Sequence, residues 1–386
     1  MTDIGVSAYR FSIAWPRIIP EGTGSINQRG LDFYDRLLDR LLADGITPYP
    51  TLYHWDLPQA LEDGGGWYDR GIADAFEVYV EAVARRLGDR VGSWITINEP
   101  RVQAWLGYGD TVHAPGRGDG DSGSVVAGHN LLRAHGRAVE VLRQLTPAAK
   151  VGITLDFSTI YAASDSDADR KAAELADARK NAWFLDPVVR GSYPERAADL
   201  IRMLPESAEQ DMKEIAAPID FIGVNYYTRT VIRSGESGIP MPVRMEGVPR
   251  MDSDWEIFPE GLRSLLIRLG AEYSLPSIFV MENGAAFNDA PGTDGRVRDE
   301  RRTEYLSQHI QAVSDAIGEG APVHGYFAWS LMDNFEWGSA YDNNTRFGIV
   351  YVDFETQQRF LKDSAHWYRS LIFACEAAGS QGSAPV

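Results

Sequence analysis

Two glutamates stand out because each ends a short apolar segment and precedes residues that turn the chain. Glu99 lies in the segment SWITINEP, and Glu282 lies in the segment SIFVMENG. Two carboxyl groups on opposite sides of a sugar ring can cleave a glycosidic bond. A separation of about 5 Å gives retention of configuration and about 6.5–9.5 Å gives inversion. Since spacing along the chain does not measure that separation, both outcomes stay open here.

Each glutamate also has a plain structural explanation. Asn, Glu and Pro are all favoured at the start of a helix, which would account for Glu99. An Asn-Gly pair after a strand is typical of a turn, which would account for Glu282. Two carboxylates at the ends of two strands of one barrel are a much more specific pattern, and that pattern indicates glycoside hydrolysis.

Further polar and aromatic side chains end other apolar segments. Arg10 can be explained as a structural ion pair, or as a hydrogen-bond donor that keeps Glu282 ionised. His54 can be explained as a core histidine, but its place before Trp55 favours binding of a hydroxyl group. Buried charges without partners are costly, so such a set at one mouth indicates a site. The set is Arg10, Tyr53, His54, Trp55, Asn98, Glu99, Asn225, Tyr226, Tyr227, Glu282, Asn283 and Trp329.

The elements that must position these residues are seven short apolar segments. Most are apolar on both faces, as parallel strands covered by helices must be. In a βα barrel the carboxyl ends of the strands form the active-site face. The segments are VSAYRFSI from Val6, TPYPTLY from Thr47, SWITINE from Ser93, KVGITLD from Lys150, DFIGVNYY from Asp220, SIFVMEN from Ser277 and VHGYFAWS from Val323.

Helical patterns separate the apolar segments. From Gly30, apolar residues recur every three to four positions, which predicts a helix, and Gly45 is a signal for its C-terminal end. Three further stretches have the same spacing and are also predicted to be helices. Alternating strands and helices without a break in composition predict one parallel α/β domain over residues 1–375. The small and polar residues 376–386 predict a disordered tail. The three further stretches are Ile72 to Leu87, Val125 to Leu145 and Arg301 to Ile317.

Composition narrows the function classes. The chain has 386 residues and a formal net charge of −18, which argues against nucleic-acid binding and favours a neutral substrate. Cys375 is the single cysteine, so no internal disulfide can form, and we expect it to be a buried, inert residue. No apolar run has membrane-spanning length and no signal peptide opens the sequence, so a cytoplasmic protein without membrane partners is expected.

No cofactor motif is apparent in the sequence. The seven His residues are scattered, and no His, Asp or Glu cluster has the spacing of metal ligands, so neither a metal nor a cofactor is expected. The expected partner is a small β-glycoside or an oligosaccharide, and a homo-oligomer stays open.

Longer segments of the chain resemble glycoside hydrolase family 1 β-glucosidases. The resemblance extends from Gly5 to about Tyr368. It implies a (β/α)8 TIM barrel and a double displacement with retention of configuration. The segments are AYRFSIAWPRI from Ala8, TLYHWDLPQAL from Thr51, TINEP from Thr96, HNLLRAHG from His129, DFIGVNYYTR from Asp220, MENGAA from Met281 and GYFAWSLMDNFEWG from Gly325.

The same resemblance implies a role for each matching residue. A carboxylate at Glu336 would repel a 6-phosphate, so an unphosphorylated glucoside, fucoside or galactoside is the implied substrate. The implied roles are acid/base for Glu99, nucleophile for Glu282, nucleophile contacts for Arg10 and Tyr227, glycone hydroxyl binding for His54 and Asn98, a sugar platform for Trp329, and a grip on the distal hydroxyls for Glu336 and Trp337.

One departure from the family pattern concerns the first βα segment. The family's first strand carries a Gln that binds glycone hydroxyls, and the resemblance here begins just before the second family strand. We therefore expect seven strands, with an open slot between the strands at Val6 and Val323. The alternative to a working retaining enzyme is a weakly active or non-catalytic sugar-binding barrel, and an inverting enzyme on the same scaffold is a third reading.

Overall fold

Seven parallel strands form one curved sheet. The computed structural model describes residues 1–275 and 277–381. The strands follow one another in the order β1-β2-β3-β4-β5-β7-β8, as predicted for a βα barrel. They are β1 (Ala8–Ser12), β2 (Thr47–Tyr53), β3 (Ser93–Asn98), β4 (Lys150–Ala162), β5 (Phe221–Ser234), β7 (Ile278–Asn283) and β8 (Val323–Ala328), with β6 (Pro240–Pro242) paired antiparallel to β5 and a separate hairpin of β9 (Val350–Val352) and β10 (Arg359–Leu361).

Helices connect the strands and cover the outside of the sheet. The helix predicted from Gly30 ends at Ala43, and Gly45 follows with the positive φ of 73° that only glycine adopts readily. The α-helices are α1 (Trp15–Ile18), α2 (Gln28–Ala43), α3 (Gln59–Asp63), α4 (Ile72–Leu87), α5 (Pro100–Val102), α6 (Gly120–Leu145), α7 (Asp167–Asp177), α8 (Trp183–Arg190), α9 (Ala198–Ile201), α10 (Ala208–Ile215), α11 (Pro259–Tyr273), α12 (Glu300–Gly318) and α13 (Asp363–Gln381), with π-helical turns at Gln103–Gly109 and Ala178–Ala182.

Short 3-10 turns lie between these elements. They cover Thr2–Ile4, Gly66–Tyr68, Gly88–Arg90, Glu195–Ala197, Glu236–Gly238 and Asn343–Thr345. In residues 1–275 and 277–381 no helix has both the length and the apolar character needed to span a membrane.

The core has an outer part and an inner part. Every residue of β3 and of β7 is buried, because helices cover one face and the barrel interior covers the other. Inside the barrel, apolar side chains from several strands meet, as in other barrels of this kind. This inner cluster consists of Tyr49, Ile95, Phe221, Phe279, Met281 and Phe327.

The barrel is nearly closed, with a slot between its first and last strands. β1 and β8 are the two ends of the strand order, and no ladder joins them in the described part of the chain. A cavity of about 830 Å³ reaches into this slot and is lined by β1 residues and by β8 residues. The expected open edges are therefore present. The lining residues from the two strands are Ala8, Tyr9, Arg10, Phe11, Ser12, Tyr326, Phe327 and Ala328.

Two expectations for the C-terminal end differ from the structure. Helix α13 continues to Gln381, so residues 376–381 are helical although they were expected to belong to a disordered tail. Glu376 and Ala377 are good helix formers, and they continue the preceding turns of α13. Residues 382–386 lie outside the described part. Cys375 is exposed, and the expectation that it is buried was wrong because it lies on the solvent side of α13.

Candidate active site

Glu282 occupies the end of β7 and receives hydrogen bonds from two sides. Arg10, near the middle of β1, donates from Nη1 to Glu282 Oε1 at 2.5 Å. Tyr227, on β5, donates its hydroxyl to Glu282 Oε2 at 2.7 Å. Glu282 is only 3% exposed, so these donors replace the water that would otherwise stabilise its charge. Both contacts match the expected surroundings of a nucleophile, and the catalytic role itself stays a prediction.

Glu99 follows β3 and has an uncommon backbone conformation. Its φ of 45° lies in the left-handed region, which is unfavourable for a residue with a long side chain. Glu99 stands at the N-terminus of α5, but its side chain does not cap that helix. Instead Glu99 Oε1 accepts a hydrogen bond of 2.6 Å from Asn225 Nδ2. The capping explanation therefore does not describe what this side chain does.

A chain of hydrogen bonds connects the two carboxylates. Arg10 donates from its second nitrogen to Asn98 Oδ1 at 2.6 Å while also holding Glu282. Asn225 donates to the same Asn98 oxygen at 3.2 Å and to Glu99 at 2.6 Å. Side chains of β1, β3, β5 and β7 thus meet at the active-site face of the barrel, although Arg10 and Asn225 lie within their strands and not at the ends.

The protonation of Glu99 follows from its surroundings. Burial raises the pKa of Glu99 well above its ordinary value, and the negative charges of Glu282 and Asp156 raise it further. The hydrogen bond from Asn225 and the charge of Lys180 oppose this pKa shift. A raised pKa favours the protonated carboxyl group, which is the form that a general acid requires.

The remaining predicted binding residues lie around His54. Its Nε2 is 3.2 Å from Asn98 Nδ2, and its ring stacks on the ring of Trp329 with centroids 6.0 Å apart. The ring of Trp337 also stacks on the ring of His54, with centroids 6.5 Å apart. Burial and the neighbouring charge of Arg10 lower the pKa of His54 to about 3. His54 is therefore neutral and can exchange hydrogen bonds with hydroxyl groups.

Glu336 lies in the loop after β8. Burial raises the pKa of Glu336 to about 8, and the negative charge of Glu282 contributes in the same direction. Five of the nine predicted site residues line the cavity of about 830 Å³, which has the size of a small-molecule site. These five are Arg10, His54, Trp329, Glu336 and Trp337.

Reasoning from the sequence missed Asp156 and did not foresee the contacts of Asn225 and Trp55. Asn225 was recognised at the end of a strand, but its hydrogen bond to Glu99 was not foreseen. Trp55 donates to the backbone oxygen of Asn98 at 2.8 Å, which holds β2 against β3 at the site. Asp156 ends the predicted segment KVGITLD, and that position was the signal that could have identified it. Among residues 1–275 and 277–381, no group of three or more His, Cys, Asp or Glu side chains is placed to hold a metal ion.

Comparison with known proteins identifies the family of this chain. The family model described as glycosyl hydrolase family 1 matches residues 1–376. The chain belongs to glycosyl hydrolase family 1. Among family 1 relatives, β-glucosidase A of Thermotoga maritima is 47% identical over 373 residues, which are 96% of this chain and 83% of the relative. β-Glucosidase A of Acetivibrio thermocellus is 46% identical over 379 residues, which are 96% of this chain and 84% of the relative.

Solved family 1 structures share the fold of this chain. The Thermotoga maritima family 1 β-glucosidase in complex with isofagomine lactam has a TM-score of 0.92 and 47% identity, covering 96% of this chain and 83% of that chain. The same enzyme in complex with glucoimidazole has a TM-score of 0.93 and 46% identity, with the same coverage. The predicted TIM-barrel fold is therefore confirmed, and the chain is an O-glycosyl hydrolase of this family.

Proposed function

We propose that this chain is a retaining β-glucosidase that uses Glu282 as nucleophile and Glu99 as acid/base. The observation that supports this most directly is the buried pair of carboxylates at the ends of β3 and β7, joined through Arg10, Asn98 and Asn225. The names of the relatives support the substrate class, since those from Thermotoga maritima and Acetivibrio thermocellus are β-glucosidases. The non-catalytic alternative is not favoured.

In the first step, Glu282 attacks the anomeric carbon while Glu99 gives its proton to the leaving oxygen. The carbon–oxygen bond to the aglycone breaks, the aglycone leaves as an alcohol, and a glycosyl ester forms on Glu282. Arg10 and Tyr227 already hold the Glu282 carboxylate by hydrogen bonds, so little reorganisation is needed.

In the second step, Glu99 removes a proton from water, and the water oxygen displaces Glu282 from the anomeric carbon. Glu282 carries no charge while it is esterified, so its contribution to the raised pKa of Glu99 disappears. The pKa of Glu99 falls at the stage where a base is required. Two inversions at one carbon give overall retention.

The surroundings of the glycone support a neutral sugar. Glu336 and Trp337 line the cavity beside His54 and Trp329, where they are suited to bind hydroxyl groups. A phosphate on the sugar would add negative charge near Glu282, whose own charge already raises the pKa of Glu336. A glucoside is the proposed substrate, with a fucoside or galactoside as close alternatives; one relative, from Bifidobacterium breve, is a bifunctional β-D-glucosidase/β-D-fucosidase.

The test is covalent labelling together with product stereochemistry. The chain is incubated with 2-deoxy-2-fluoro-β-glucosyl fluoride, and the labelled peptide is located by mass spectrometry. We expect one label, on Glu282, and none on a Glu282→Ala variant, which should show no measurable turnover. Proton NMR of early hydrolysis should show β-glucose before α-glucose.

Two outcomes would contradict the proposal. The first is α-glucose as the initial product, which would mean inversion. The second is binding of glucose without any labelling or hydrolysis of p-nitrophenyl β-glucoside, which would favour a sugar-binding barrel.

Location and assembly are further proposals. A single cysteine, which excludes internal disulfides, is consistent with a cytoplasmic protein. The open edges of β1 and β8 offer unpaired backbone groups, which supports a homo-oligomer. Cell fractionation tests the location. Light scattering after size exclusion tests the assembly, and a monomeric mass at micromolar concentration would contradict the homo-oligomer.

A further inference from the structure

A compact charge cluster lies next to Glu99, and none of its members was given a step in the mechanism above. Asp156 lies on β4, two residues after Thr154, the residue paired with Asn98. It accepts hydrogen bonds from two cations. Arg101 donates from Nε to Asp156 Oδ2 at 2.7 Å, and Lys180 donates from Nζ to the same oxygen. The three residues, named here the 101/156/180 cluster, carry one negative and two positive charges.

The backbone fixes this cluster relative to Glu99. The Glu99 amide donates to the Thr154 carbonyl at 2.8 Å. Side chains two residues apart on a strand point to the same face, so Asp156 continues the face on which Thr154 lies. Asp156 is also paired in register with Asn225, whose side chain donates to Glu99. Asp156 therefore lies on the strand that binds the Glu99 amide and beside the residue that binds the Glu99 side chain.

Each member comes from a different element around Glu99. Arg101 lies two residues after Glu99 in α5, and Lys180 comes from the π-helical turn Ala178–Ala182. The side chains of Arg101, Asp156 and Lys180 are between 12% and 24% exposed, so solvent screens their charges only in part. Charged and titratable groups from other elements also interact with Glu99. They are Glu282 on β7, Asp156 on β4, Tyr227 on β5 and Lys180 on the π-helical turn. Arg10 on β1 is connected to Glu99 through hydrogen bonds of Asn98 and Asn225.

We propose that the 101/156/180 cluster adjusts the protonation of Glu99 through Asp156 and Lys180, and that these two are therefore positioning residues for acid/base catalysis. This inference rests on the proposed function of Glu99. The two side chains act in opposite directions. Asp156 favours the protonated acid that the first step needs, while Lys180 favours the carboxylate that the second step needs.

The experiment is the pH profile of kcat/KM in single and double variants. The alkaline limb reports loss of the proton from the acid in the free enzyme. Asp156→Asn raises the cluster charge by one, so the limb should move down by about one pH unit. Lys180→Gln lowers the cluster charge by one, so the limb should move up by a similar amount. The double variant restores the original net charge, so its limb should return to that of the parent chain.

The controls separate charge from packing. Lys180→Arg keeps the charge, so the limb should stay in place. Asp74→Asn disrupts a distant ion pair, Arg137 to Asp74 at 2.8 Å, and should also leave the limb in place. If Asp156→Asn fails to fold, Lys180→Gln still tests the proposal, because the Arg101–Asp156 pair remains.

Failure of this inference can be told apart from failure of the proposed function. The parent chain must first hydrolyse p-nitrophenyl β-glucoside, and its alkaline limb must be absent from Glu99→Ala assayed with an activated aryl glucoside. If that condition is not met, the role of Glu99 itself is wrong. If it is met and Lys180→Gln leaves the limb unmoved, or both single variants move it in the same direction, the cluster does not set the protonation of Glu99.

Discussion

The two glutamates of the site have the same chemistry but different surroundings. Glu282 is held by two donors, from Arg10 and Tyr227. Glu99 has one amide donor, from Asn225, and is close enough to Glu282 for the negative charge to raise its pKa. Environments that differ in this way fit the roles proposed here, nucleophile for Glu282 and acid for Glu99.

Replacing Glu99 by Ala tests the acid role at the scale of one residue. We expect kcat to fall by about 10²–10⁴-fold on aryl glucosides with poor leaving groups, and by less on dinitrophenyl glucoside, which needs no proton. Azide should rescue the variant and give β-glucosyl azide. The measurement is steady-state kinetics on a series of leaving groups, with the exposed Glu21→Ala as control. An equal loss on every leaving group would reject the acid role.

At the scale of elements, the ends of β7 and β8 are joined through backbone contacts. The Trp329 amide donates to the Asn283 carbonyl at 2.9 Å, so the proposed sugar platform is held directly against the strand that carries Glu282. Gly284 follows immediately, and a Cβ atom there would overlap the carbonyl oxygen of Trp329. Close packing of two backbones, rather than a flexible turn, therefore requires glycine at this position.

Gly284→Ala should displace the Trp329 loop. Overpacking of this kind costs about 1–3 kcal/mol, so we expect a lower melting temperature. KM for p-nitrophenyl β-glucoside should rise by about tenfold, since about 1.4 kcal/mol corresponds to that factor. The matched control is Gly318→Ala at the end of α12, where an added Cβ meets nothing within 4 Å. Calorimetry and kinetics that do not distinguish the two variants would contradict this account of Gly284.

At the scale of the whole molecule, the site lowers the stability of the fold at alkaline pH. Glu336 has its pKa raised from 4.5 to about 8 by burial and by the charge of Glu282. Between pH 4.5 and about pH 8, the Glu336 side chain therefore keeps its proton in the folded state and has lost it in the unfolded state. Where the folded state binds more protons, stability falls as pH rises, and the loss is complete above the folded-state pKa.

Glu336→Gln should remove this part of the pH dependence. We expect the variant to melt at a higher temperature than the parent chain at pH 8, with the difference vanishing near pH 4.5. The exposed Glu21→Gln serves as the control for loss of one charge from a chain of net charge −18. Thermal unfolding at several pH values measures the effect. A constant difference between variant and parent at all pH values would show that Glu336 does not titrate as described.

Much of the molecule could be predicted because its determinants are local. Most strands are runs of residues that are apolar on both faces, such as Ser93–Asn98 and Ile278–Asn283, and a parallel strand between two layers requires such a run. The common orientation of parallel strands then places Arg10, Asn98, Tyr227 and Glu282 at one mouth. The pattern of residues therefore determined the barrel and seven of the nine candidate residues. The resemblance to family 1 supplied Glu336, Trp337 and the expected roles.

Other features depend on which side chains meet in space, and only the tertiary structure decided them. The hydrogen bond from Asn225 to Glu99 joins residues 126 positions apart, and Lys180 reaches Asp156 from a π-helical turn that has no distinct sequence pattern. Burial and neighbouring charge set the protonation of Glu99 and Glu336, and neither can be read from residue type. Local sequence thus determines what each element is, whereas the electrostatics of the site come from contacts between elements far apart in the chain.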